Sequence, residues 1–163
     1  MSKPKVYLET SFIGYLTARL SGDLITAAHQ KLTRQWWDEQ RHNFALHVSG
    51  FVLGEISAGD RTAVQERMSV LVGVSQLKTP PEAERLARAL VEKRAIPTKA
   101  TVDAFHVAVA TVSGMDYLLT WNCKHIANAA MRNEIAAVIR GLGYKPAVLC
   151  TPEELMGADD DGE

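Results

Sequence analysis

The sequence predicts an α/β fold, a three-layer sandwich with a central, mostly parallel sheet of four to five strands flanked by helices. Two observations predict it. Short β-type runs alternate with stretches of helical periodicity, which implies a parallel sheet covered on both faces. The 163 residues, 47% apolar and 23% charged, match one ordinary globular domain with a real core.

The elements follow in order. Lys5-Val6-Tyr7-Leu8 is a short β-run that gives way at Glu9-Thr10-Ser11 to a helical pattern through Phe12, Ile13 and Leu16. From Asp23 to about Gln40, Leu24, Ile25, Ala28, Leu32 and Trp36 recur near a 3.6 period, an amphipathic surface helix with those residues inward. Phe44–Val48 reads as a second strand, followed by helices over Phe51–Ala58 and Arg61–Val72. Pro80-Pro81-Glu82 starts another helix, which Pro97 stops. Thr98 can cap the next, running through Phe105 and Val109 to Gly114. Tyr117–Thr120 is a third strand, Asn128 to Arg140 a helix, and Ala147–Cys150 a last strand. Thr151-Pro152-Glu153-Glu154 has the spacing of a capping box. Residues 1–151 are thus expected to form the domain, and 152–163 a short capped helix with a frayed acidic tail.

Composition excludes several classes. No apolar run approaches the ~20 residues of a membrane span, and the N-terminus lacks a signal-peptide stretch, so a cytoplasmic protein is expected. Cys123 and Cys150 have neither disulfide-framework nor zinc-ligand spacing. The net charge is −1, but six of the nineteen acids lie in the last twelve residues. The remainder carries 18 bases against 13 acids, a net +5 that suits a polyanionic partner.

The informative residues are acids in apolar surroundings. Glu9 ends an apolar strand, Glu55 sits within Phe51-Val52-Leu53-Gly54-Glu55-Ile56, Asp103 is flanked by Val102, Ala104 and Phe105, and Asn122 closes the third strand. Ligands bind at the carboxyl ends of strands in doubly wound sheets, where Glu9 and Asn122 both lie. Two carboxylates ~4 Å apart repel by ~4 kcal/mol at an effective dielectric of about 20, which a hard divalent cation offsets. Asp103 also stands early in its helix, where the dipole favours an anion, so a capping role stays open for it.

Leu8-Glu9-Thr10-Ser11 after a β-run, Glu55 in a short apolar helix, Asp103-Ala104-Phe105-His106-Val107-Ala108-Val109-Ala110 and Leu118-Leu119-Thr120-Trp121-Asn122 together resemble the PIN-domain family, especially VapC-type toxins of bacterial toxin–antitoxin pairs. The resemblance runs from about Lys5 to Cys150. It implies a five-stranded parallel sheet and a Mg²⁺- or Mn²⁺-dependent ribonuclease, with an antitoxin as partner. It also implies that Glu9, Glu55 and Asp103 hold the metal and Asn122 completes the catalytic set. Thr10, Ser11 and Thr120 match the small hydroxyl residues beside the site. Two positions depart from the family pattern, which has Asp where Glu9 and Asn122 stand. The alternative reading is a catalytically weakened PIN-like scaffold that binds RNA or protein.

Among His29, His42, His47, His106 and His125 no zinc spacing occurs, and His106, three residues after Asp103, reads as a buried structural neighbour of the site. Lys93, Arg94, Lys99 and Lys124 are weak candidates for RNA phosphates. Trp36 and Trp37 point ~100° apart on one helix, so one of them is expected at a homodimer or antitoxin surface or as a base-stacking platform. Other α/β metal enzymes fit less well, since Glu9-Thr10-Ser11 lacks the Asp-x-Asp of haloacid-dehalogenase-type phosphatases and the acid pair of receiver domains.

Overall fold

The computed structural model describes residues 2–157. The acidic run at residues 159–163, expected as a frayed tail, lies outside the described residues. Among those described, five strands and seven α-helices alternate: β1 (Lys5–Leu8), α1 (Thr10–Thr17), α2 (Leu24–Gln40), β2 (Ala45–Ser49), α3 (Gly50–Ile56), α4 (Arg61–Val70), β3 (Ser75–Leu77), α5 (Pro81–Glu92), α6 (Thr101–Val112), β4 (Tyr117–Leu119), α7 (Ala129–Gly141) and β5 (Val148–Cys150). No helix among them is long and apolar enough to cross a membrane.

The sheet is parallel throughout, in the order β3-β2-β1-β4-β5. β1 is its centre, with Val6 opposite both Leu46 and Tyr117, and Val6, Tyr7 and Leu8 have no exposed surface. Burial on both faces explains why β1 reads as an unbroken apolar run. The chain first builds outward from β1 through β2 to β3, then returns to the other side of β1 with β4. That reversal opens a crevice at the carboxyl ends of β1 and β4, where such sheets bind ligands.

Local chemistry explains most helix starts. Asp23, Asp60 and Asn128 each accept a backbone N–H of the first turn, from Thr26 (2.9 Å), Ala63 (3.0 Å) and Ala130 (2.9 Å). α5 buries Ala83, Leu86, Ala87 and Leu90, one stripe at helical spacing, against α6.

β3 is the fifth strand of the expected four to five, though residue patterns do not locate it: three residues at a sheet edge, mostly exposed, carry almost no periodic signal. Three expectations are corrected. The side chain of Thr98 caps nothing; Thr98–Ala100 forms a 3₁₀ turn leading into α6. The capping-box residues do close on each other, with Thr151 N donating to Glu154 (3.2 Å) and Glu154 N to Thr151 Oγ1 (3.3 Å), but the chain makes a turn and no helix follows among the described residues. Finally, α2 buries Trp36 as expected, but its first half turns a different face inward: Leu24 and Ile25 are 86% and 70% exposed, whereas Gln30 and Thr33 are buried. The reason is polar. Gln30 spans the α1–α2 loop, accepting from Ser21 N (2.8 Å) and donating to Arg19 O (2.9 Å), and Thr33 Oγ1 accepts the Trp121 indole N–H at 2.6 Å. Each buried polar group is satisfied, which makes this orientation affordable.

Neither tryptophan of α2 is a free surface ring. Trp36 is buried and donates to Leu155 O (3.1 Å), and Trp37 is half-buried against Phe12 with the Arg41 guanidinium 5.2 Å from its ring centroid.

Candidate functional site

At the crevice between β1 and β4 the chain turns at Glu9, the last residue before α1. Glu9 caps that helix: Oε2 accepts from Ser11 N (2.9 Å), from the Ser11 hydroxyl and from Thr120 Oγ1 (2.8 Å), while Oε1 accepts no hydrogen bond from a described residue. Thr120 follows β4, which pairs with β1, so residues 111 positions apart meet through sheet register. Trp121 N in turn donates to Ser11 Oγ and Asn122 N to Thr120 Oγ1, both at 2.8 Å. Glu9 is only 4% exposed, and this set of donors compensates the burial of its charge.

Glu55 approaches from α3. Its Oε1 accepts from Thr10 Oγ1 and lies 2.6 Å from His106 Nε2, the Thr10 bond being equally short. Partial burial pushes this carboxyl up, but the hydrogen bonds from His106 and Thr10 outweigh it and hold it below the ordinary carboxylate range.

His106 has no exposed surface, and its Nδ1 lies 2.7 Å from the Tyr7 hydroxyl, itself 2.6 Å from Ser49 Oγ. One assignment of protons satisfies the whole chain: Ser49 donates to Tyr7, Tyr7 to Nδ1, and Nε2–H to Glu55. Burial raises the Tyr7 hydroxyl far above its usual range, which keeps it a donor. Neither Tyr7 nor Ser49 is identifiable from the sequence as part of the site. The available signal was a tyrosine inside an otherwise apolar strand, whose hydroxyl needs a partner.

Ligand-capable atoms of Glu9, Glu55 and His106 lie within 4.8 Å of one another. The expected trio was Glu9, Glu55 and Asp103. Asp103 joins no such group in this arrangement; it stands in the first turn of α6, half-buried, one turn before His106, with no hydrogen bond to a described residue. Asn122, expected to complete the catalytic set, uses its Oδ1 to accept from His125 N (3.0 Å) and so closes the turn after β4. Lys93, Arg94, Lys99 and Lys124 are all exposed and form no ion pair with a described residue.

The donor set fits a hard cation. Two carboxylates within 4.8 Å repel by at least about 3.5 kcal/mol at an effective dielectric of 20, and Glu9 retains an oxygen without a partner among the described residues. His106 fits less well as a ligand, since both its nitrogens are already hydrogen-bonded.

By sequence the chain matches no family model and no curated protein. By structure it is similar to VapC20 of Mycobacterium tuberculosis, a toxin that cleaves the sarcin–ricin loop, with a TM-score of 0.53 and 22% identity, covering 70% of this chain and 87% of that one. It is also similar to VapBC2 of Rickettsia felis, solved bound to a DNA fragment from its promoter, with a TM-score of 0.54 and 14% identity, covering 73% of this chain and 89% of that one.

Proposed function

From the VapC-like PIN fold of this chain, we propose that the protein is a Mg²⁺- or Mn²⁺-dependent endoribonuclease that hydrolyses RNA phosphodiester bonds in the cytoplasm, as a toxin restrained by an antitoxin. The observation that carries the reading is the meeting of Glu9 and Glu55 at the switch point of the sheet, each carboxylate held by neighbouring donors.

Glu9 and Glu55 would hold the cation, with Asp103, in the first turn of α6, as a third carboxylate. A divalent cation at such a site supplies Lewis acidity for attack by water on a phosphodiester and neutralises charge on the phosphate. The chain's own residues do the positioning. Ser11 and Thr120 saturate one oxygen of Glu9 and leave the other available, and His106 and Thr10 orient Glu55. Such outer partners tune affinity as much as the ligands do.

Manganese titration by calorimetry together with cleavage of a mixed single-stranded RNA pool tests the reading. Metal binding lost in Glu55→Gln, with divalent-dependent cleavage by the native protein, is the expected result; native protein that binds no Mn²⁺ refutes it. The engagement of Asn122 Oδ1 in a turn and the separation of Asp103 from the other acids favour the second reading, a weakened scaffold, for which RNA binding without cleavage is expected. A homodimer is proposed through the apolar face of Leu20, Leu24 and Ile25, which are 52%, 86% and 70% exposed. Light scattering that gives a dimer for the native protein and a monomer for Leu24→Glu supports it; a native monomer refutes it.

A further inference from the structure

Beside Glu55 lies a cleft of about 320 Å³ whose walls include Thr10, Gly14, Tyr15 and Arg67, and three of its properties point to a ligand. Its cation is placed in advance. Arg67 Nη1 donates to the carbonyls of Ile56 (3.1 Å) and Ala58 (3.0 Å), so α4 holds the guanidinium against the end of α3. Those partners are neutral, and Arg67 forms no ion pair with a described residue, so the guanidinium remains available to an anion in a cleft whose other charged wall is the candidate metal site.

The aromatic wall is braced as well. Tyr15 lies nearly parallel to Trp121 (centroids 5.9 Å apart, planes 18°) and to His29 (6.4 Å, 21°), which stack on each other at 4.1 Å. Neither Trp121 nor His29 lines the cleft, and Trp121 is itself fixed by its bond to Thr33. A ring held this way loses little freedom when a flat group stacks on it.

Last, Gly14 stands mid-helix in α1, where glycine weakens a helix relative to alanine, and a Cβ placed there would meet nothing within 4 Å. Packing does not require the glycine, which forms part of the cleft wall. The adjoining hollow, which shares Gly14 and Arg67, carries Asp60 and Glu66, and these acids disfavour a polyanion. The favourable track therefore ends at Arg67.

We infer that this cleft is a subsite for one nucleotide of single-stranded RNA flanking the bond to be cut, with the base on Tyr15 and a phosphate on Arg67. The inference rests on the ribonuclease reading and adds to it where the substrate is gripped. A cation joined to an aromatic face is the combination by which proteins hold single strands, and the stacking part tolerates any base.

The probe is a 5′-fluorescein-labelled single-stranded RNA 12-mer of mixed sequence, its binding followed by anisotropy in EDTA so that no cleavage occurs. Tyr15→Ala weakens binding about tenfold and Tyr15→Phe recovers most of that loss, as stacking requires. Arg67→Gln weakens it about tenfold and lowers the salt slope of log K by about 0.7, the value for one lost phosphate contact on a single strand, while Arg67→Lys keeps the slope. Gly14→Leu adds bulk to the wall shared by the cleft and the adjoining hollow without removing a charge or an aromatic ring, and weakens binding to a similar extent. Thermal melts verify that each variant is folded, and Gly14→Leu and Arg67→Lys serve if the larger changes unfold the protein. Native protein that cleaves RNA, with all these variants binding as it does, overturns the subsite and leaves the nuclease reading standing. Binding that depends on Tyr15 and Arg67 without any divalent-dependent cleavage supports the subsite and removes the nuclease reading. Native protein that neither binds nor cleaves the RNA overturns both.

Discussion

His106 Nε2 lies 2.6 Å from Glu55 Oε1, and the imidazole that makes this contact has no exposed surface, its other nitrogen 2.7 Å from the Tyr7 hydroxyl. The most buried strand of the sheet thus orients a carboxylate on a short surface helix. If this chain of bonds sets the carboxylate, Tyr7→Phe, which deletes one oxygen and nothing else, weakens Mn²⁺ binding by ~10-fold and costs ~1–3 kcal/mol for the nitrogen left without a donor. Calorimetry and urea unfolding measure the two effects. Unchanged metal affinity in both Tyr7→Phe and His106→Asn contradicts the relay.

The acids differ in what they do for the fold. Glu9 caps α1 and is held by Ser11 and Thr120, so Glu9→Ala destabilises the metal-free protein by about 1–2 kcal/mol. Asp103 has no such partners, and Asp103→Asn leaves the metal-free protein at least as stable while abolishing cleavage. Denaturant midpoints in EDTA compare them. A large loss in Asp103→Asn identifies it as a cap and removes it from the proposed metal site.

Asn122→Asp moves the chain toward the family pattern without changing side-chain length. One oxygen of the new carboxylate can keep the bond from His125 N, so the turn survives, and the other becomes available to a cation. Cleavage is expected to rise by up to ~10²-fold, most at low Mg²⁺ where occupancy limits turnover. A magnesium series on both proteins decides it; equal rates at every concentration assign Asn122 to the turn alone.

Cys123 is exposed, whereas Cys150 is buried at the end of β5, and burial pushes its thiol up to about 12. The reactive species is the thiolate, which for Cys150 is about one part in 10⁴ at pH 8. The native protein therefore releases one equivalent of thionitrobenzoate from an aromatic disulfide reagent at pH 8, and two in denaturant. Because the folded state favours the neutral thiol, its contribution to stability is full below the ordinary thiol range near 8.5 and is lost as pH rises toward 12. Two rapid equivalents from folded protein refute this.

The sequence by itself determined the local features: the helices beginning near Asp23, Arg61 and Asn128, the apolar strand ahead of Glu9, the α/β alternation, and acids standing in apolar runs at Glu9 and Glu55. These depend on neighbours a few positions away, and a pattern of residues records them directly. Tertiary structure alone decided the rest. Thr120 reaches Glu9 only because β4 pairs with β1, and His106 reaches Glu55 across 51 positions because α3 and α6 pack together. The inward face of α2 followed the polar needs of Gln30 and Thr33 against the periodicity of Leu24, Ile25 and Ala28, and the side chain of Asn122 closed its own turn. In each case a buried donor or acceptor must find its partner wherever the packed chain supplies one, and no local spacing encodes that distance.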